Sequence, residues 1–325
     1  MEETYYAGAY WLARREKVEA CARRAESLFR LLASCDPSLS QWFEKGATLE
    51  EALMHNIAPE VEGLVRVFSE QAQKEGRFAD EGFSLALWNG QTQEAASSLS
   101  LLCGDASIWV SNLCLFYPPK ESPASERVIQ APVLARILRA MAVAFEPEWG
   151  VVTSRALRAM LAPEPADAGT FIGWLTYFSH RRGPLPPLPS SVHTEPVEDK
   201  GTLVILTPER FTASNPAHVA LARDVSELLA QAGLLPPLRP WNEGRRSSTR
   251  LTGWCRNPGC HLAATLAAGR GGRDDARQTR QVARVVERGP ESISLRASSA
   301  GAALRRSGSN AGHSPQGSLF LALSR

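Results

Sequence analysis

The chain has 325 residues, 44% apolar and 22% charged, with a formal net charge of +2. That composition suits a soluble globular protein with a sizeable core, in one large domain or two ordinary ones, and no stretch approaches the ~18 uncharged apolar residues of a membrane span. The small net charge hides a division: from Trp241 onward 14 Arg stand against 5 acidic residues, whereas residues 1–240 carry 22 basic and 29 acidic residues, a net of −7.

The acidic start, Met-Glu-Glu-Thr, lacks the basic and apolar regions of a signal peptide, and the six cysteines have no framework spacing. A cytoplasmic protein with reduced thiols is expected. "TYYAGAYWL" (Thr4–Leu12) is aromatic and β-prone and reads as a first strand. A helix follows, because Val18, Cys21, Ala25, Leu28, Phe29 and Leu32 recur at spacings of three and four. Asp36-Pro37 ends it. Thr48 with Glu51 three residues later signals a capping box, and Pro59 is placed in the first turn of the next helix, to about Lys74.

Three strands are expected at Phe83–Gly90, Ser97–Gly104 and Asn112–Pro118, with short connections that favour antiparallel neighbours. Pro132 opens a helix that Glu146-Pro147 stops. "WGVVTS" enters a short helix, Arg155–Leu161. Strands at Thr170–Ser179 and Thr202–Thr207, the latter nearly all apolar and placed centrally, precede a closing helix capped by Asn215 and ended by Gly233. The fold class is α+β: a mostly antiparallel sheet with helices mainly on one face, as domain 1–238.

Between the last two strands runs "RRGPLPPLP" (Arg181–Pro189). It fits an R-x-x-P-x-x-P ligand of aromatic grooves. Its place inside the fold favours a stiff crossover, since each proline biases its neighbour toward extended geometry and removes a donor. Residues 239–325 form a separate, disordered-type tail rich in Arg, Ala, Gly and Ser. Such a composition is what a frameshifted or read-through end of a GC-rich gene yields. A nucleic-acid-binding arm is the functional alternative, and Cys255, Cys260 and His261 give a weak zinc pattern.

No nucleophile elbow, phosphate loop, dinucleotide fingerprint or metal motif occurs, so neither a catalytic residue nor a cofactor is expected. His180 reads as a solvated strand end, His218 as a surface residue, and Cys21 and Cys103 as core. Trp11, Trp149 and Trp174 also read as core. The residues offered for partner contact are two acidic loop pairs, Asp80-Glu81 and Glu198-Asp199, and the turn Trp88-Asn89, the tryptophan best placed for an exposed edge.

In order along the chain, "TYYAGAYW", "FSLALWNG", "WGVVTS", "GWLTYFSHRRGPLPPLP" and "TLVILTPERFTASNPAHVALA" resemble the immunity protein 52 family of bacterial polymorphic toxin systems over about residues 4–236. The resemblance implies a cytoplasmic α+β protein encoded beside a toxin, often a predicted nuclease, which it neutralises. An acidic domain without catalytic motifs agrees with an inhibitor steered to a phosphate-attracting site, and such a domain is not expected to bind nucleic acid itself. An enzyme with an unrecognised site, or a nucleic-acid binder acting through the tail, remain the alternatives.

Overall fold

The computed structural model describes residues 3–44, 46, 48–77, 81–91, 94–106, 112–120, 122–162 and 170–238. All lie in the first of two compact units, Met1–Ser294. The tail 239–325, Trp109 and Asp80 fall outside the described residues.

In chain order the elements are β1 (Tyr5–Trp11), α1 (Val18–Cys35), β2 (Phe43–Glu44), α2 (Leu49–Met54), α3 (Val61–Glu75), β3 (Glu81–Trp88), β4 (Ser98–Asp105) and β5 (Asn112–Tyr117). Then come α4 (Pro123–Val128), α5 (Ala131–Phe145), β6 (Trp149–Ser154), α6 (Arg155–Leu161), β7 (Leu175–Ser179), β8 (His193–Val197), β9 (Gly201–Ile205) and α7 (Pro216–Gln231). Among the described residues nine strands make one sheet in the order β2-β3-β4-β5-β1-β6-β7-β9-β8, and every neighbouring pair is antiparallel. The expected fold class holds.

All seven residues of β1 are buried, between β5 and β6. Directly paired residues share a face, so register assigns the helices. Trp11 stacks on Phe145 of α5 at 5.1 Å, and Phe83 meets Phe68 of α3 edge-on at 6.0 Å. Cys21 and Cys103 are fully buried where α1 meets β4. The long helices α1, α3 and α5 therefore cover one face. The opposite face carries Tyr6, Tyr10 and Trp149, with α6 against it: Arg158 lies beside the Tyr6 and Tyr10 hydroxyls, and burial holds both phenols above their ordinary pKa.

Both edges are short or obstructed, which protects a sheet from unwanted pairing. β2 has two residues, and β8 is exposed along most of its length with Pro196 inside it. Sequence patterning missed β8 because "HTEPV" is polar and prolyl; it is a strand because β9 supplies its ladder. β9 is thus one strand in from the edge, not central. Three other expectations are corrected. α3 begins at Val61 with Glu60 as its N-cap, so Pro59 lies outside the helix. The segment Thr170–Trp174 precedes β7 without joining it; Gly173 runs so close to β6 that a Cβ would strike the Val152 carbonyl oxygen. α7 buries His218, expected at the surface, together with Val219, Ala222, Val225 and Leu229. His218 is 8% exposed and stacks on Phe211 at 4.5 Å. Its Nδ1 accepts from the Thr212 N–H at 3.0 Å, which places any single ring proton on Nε2.

The proline segment follows a 3-10 turn at His180–Arg182 and leads into β8, as a crossover would. Arg182 fixes its start by donating to the Leu234 carbonyl at 3.1 Å and to the Pro236 carbonyl. Trp174, fully buried, donates Nε1–H to the Thr207 carbonyl at 2.9 Å and packs edge-on against Tyr5. Trp174→Ala removes both the ring and the bond, and should cost about 3–5 kcal/mol in urea unfolding. Wild-type stability with lost partner binding would contradict this role.

Candidate functional site

Of the six residues offered for partner contact, the five that are described fall at the two ends of the sheet. Alternating strand direction places the start of β3 and the β8–β9 hairpin at one end, and the end of β3 at the other. Seven residue steps of β3, about 23 Å, separate Glu81 from Trp88. Glu81 and the β8–β9 hairpin share an end but lie six strand spacings apart, about 29 Å.

The end with Trp88 is built from the C-terminus of α1 onward. Asp36, 4% exposed, accepts from Arg127 through Nε at 2.6 Å and Nη2 at 3.0 Å, and from Ser38 N–H and Oγ–H. The Arg127 guanidinium, against the opposing cost of burial, pulls the Asp36 carboxyl down to about 2. This fixes a 3-10 turn at Pro37–Leu39, whose Ser38 carbonyl receives the Asn89 side-chain amide at 3.1 Å. Asn89 Oδ1 accepts from Ser97 N–H at 2.9 Å. Trp88 pairs with Phe43 across the β2–β3 ladder and donates Nε1–H to the Glu44 carbonyl at 3.3 Å. Trp88 is 5% exposed and Asn89 2%. The exposed edge expected of Trp88 is therefore not found, because β2 and α2 cover it; Trp88 is the platform beneath a surface, and Asn89 joins the Pro37–Leu39 turn to Ser97.

That surface is α2. The chain leaves β2, makes the helix and returns, pinned by Glu44 N–H to the His55 carbonyl at 3.0 Å and Ile57 N–H to the Trp42 carbonyl at 2.9 Å. Thr48 caps it, accepting from Glu51 N–H at 3.1 Å. Only Ala52 is buried, in a satellite cluster with Phe43 and Trp88. Leu49, Leu53 and Met54 point outward, 43%, 44% and 76% exposed. Sequence reading took α2 as an ordinary helix. The signal available was its shortness: six residues with three large apolar side chains cannot bury them all against a two-residue strand.

The other end is ionic. Glu16 accepts from Arg14 at 3.1 Å and Arg24 at 2.8 Å, and both arginines reach carbonyls of the last turn of α5, Phe145 and Ala144, where cations are favoured. Glu146, in the left-handed region at φ 50°, takes Lys200 at 3.3 Å. Partial burial raises the Glu146 pKa, but the Lys200 bond and the neighbouring arginines outweigh it and hold the carboxyl below its ordinary value. Glu198, at φ 48°, and Asp199 are exposed at the hairpin turn, and His180 Nδ1 lies 3.0 Å from the Asp199 carbonyl oxygen. A cavity of about 250 Å³ opens nearby between Leu12, Glu148, Arg181, Arg182 and Pro236–Leu238. Among the described residues no group of three or more His, Cys, Asp or Glu is placed to hold a metal, and no helix is long and apolar enough to cross a membrane.

Of the five strongly exposed large apolar side chains among the described residues, three stand on the α2 corner, Leu12 and Met160 being the others. The model of the family described as Immunity protein 52 matches residues 3–238, and the chain belongs to that family. Among solved structures, the T6SS protein PA0821 of Pseudomonas aeruginosa is similar, with 15% identity, 69% of this chain and 76% of that chain covered, and a TM-score of 0.43. Among curated proteins none matches.

Asp36 gives a test of the corner. Its folded pKa of about 2 lies below the ordinary carboxylate value, so its contribution is full above about pH 4 and disappears as pH falls through 2. Asp36→Asn should lose on the order of 2 kcal/mol at pH 7 in urea unfolding, with the gap to wild type closing between pH 4 and pH 2. A gap that stays constant to pH 2 would refute the assignment.

Proposed function

We propose that this chain binds a toxin encoded beside it and blocks it one to one, without turnover, in the cytoplasm. The observation that carries the reading is family membership over residues 3–238, which spans every described element. We further propose that the toxin is a nuclease. The net −7 of residues 1–240 supports this, because a nuclease attracts phosphate and its inhibitor gains encounter rate from carboxylates. An interface of ordinary size, roughly 800 Å² per partner, suffices for the nanomolar affinity that protection from a lethal enzyme demands.

Residues 1–240 are proposed to be sufficient. Truncation after Pro240 should lower the melting temperature by less than about 5 °C, the shift that ~1–2 kcal/mol produces in a domain of this size. Co-expression of residues 1–240 with the neighbouring toxin domain should restore growth, with both proteins co-eluting at equal stoichiometry. Continued killing, with both soluble and eluting apart, would overturn the proposal.

A further inference from the structure

Five large apolar side chains are strongly exposed among the described residues, and three of them stand on α2. Leu49 and Leu53 are four residues apart and share a helix face; Met54 widens the stripe by one position. An unbranched, polarizable Met at the summit adapts to an irregular partner surface. Scattered exposed leucines need no explanation, but a contiguous apolar patch with a polar rim marks an interaction site.

The rim is carboxylate. Residues 44–62 contain Glu44, Glu50, Glu51, Glu60 and Glu62 against one lysine, a net of −4. More than half of the −7 of residues 1–240 is thus concentrated in 19 residues of sequence around this helix. Glu50, Glu60 and Glu62 are exposed. The patch is also tied to the sheet. The Trp88 indole, packed with Phe43 and Ala52, and the two backbone bonds across the neck of the loop hold α2 against β2, and each such tie made before docking reduces the ordering that docking requires. The adjoining edge strand, with two residues, is too short for strand addition, so recognition runs through side chains.

We propose that the α2 corner is the surface on which the toxin docks, with Leu49, Leu53 and Met54 as apolar anchors inside a ring of carboxylates. The complementary toxin surface is an apolar hollow rimmed by lysine or arginine. The inference rests on the immunity reading and gives that reading an address. It sets the ionic end of the sheet, with Glu198 and Asp199, outside the anchored contact. Trp88 acts as a positioning residue under α2.

The test uses the full chain and the toxin domain encoded beside it, with binding followed by surface plasmon resonance. Leu53→Asp and Met54→Asp, made at exposed positions, should keep the wild-type melting temperature and weaken Kd by at least about 100-fold, the loss expected for buried anchors. The double change Glu50→Lys with Glu60→Lys should slow association about tenfold at low salt, with little change in dissociation and convergence with wild type at high salt. Met160→Asp, on α6 about five strand spacings away, should bind as wild type does. Wild-type affinity in the α2 variants, with binding lost instead on reversing Glu198 and Asp199, would overturn the α2 assignment and leave the immunity reading intact. A wild-type chain that self-associates through α2, with Met54→Asp dissociating it and toxin affinity unchanged, would give the patch to a second copy and equally overturn it. No complex with the wild-type chain would remove both readings.

Discussion

The pairing of β1 between β5 and β6 is the constraint on which the rest of the molecule depends. Tyr5–Trp11 is an N-terminal segment, yet its neighbours in the sheet begin more than one hundred residues later. Because β1 joins two halves, β2 to β5 on one side and β6 to β9 on the other, neither half closes its core without it. The strand suits the position: its outward rings stack on both faces, Trp11 on α5 and Tyr10 on Trp149 at 5.2 Å, while Ala7, Gly8 and Ala9 let the layers approach. Contacts of such sequence separation are slow to form and strongly cooperative once made.

From that centre the sheet grows to two edges that end in different ways. At β8 the polar, prolyl strand is tied down by Arg139, which donates to the Pro196 carbonyl at 2.7 Å and pairs with Glu195 at 2.6 Å. At β2 the ladder stops after two residues and the chain covers the edge with α2. The second solution leaves apolar surface in solvent. That exposed surface is the one proposed to meet a partner, and Trp88, buried with Phe43 and Ala52, supports the helix from beneath.

Much of this was legible in the sequence. The apolar stripe of α1, the aromatic β1, the cap of α7 at Asn215 and the buried Trp174 follow from periodicity and turn chemistry, which are local. What could not be read was set by distant partners. Trp88 looked exposed because its cover arrives from Phe43 and Ala52, more than thirty residues earlier. His218 looked solvated because the Thr212 N–H and the Phe211 ring that enclose it come from an irregular loop. β8 was invisible because a two-sided polar strand is specified by its neighbour and not by its own pattern. Glu81, expected in a loop, is instead the first residue of β3, paired with Asp105, whereas Glu198-Asp199 does form the β8–β9 turn, and sequence could not tell that six strand spacings lie between them.

Stoichiometric neutralisation is the central claim, and an activity titration addresses it most directly. A fixed amount of the toxin domain is assayed on its own substrate while this chain is added in increments. The account predicts a linear fall to zero with a sharp break at one chain per toxin, and intact toxin recovered when the complex is dissociated. Full inactivation at a small fraction of one equivalent, or toxin recovered chemically altered, would mean that the chain acts by turnover and would contradict the account.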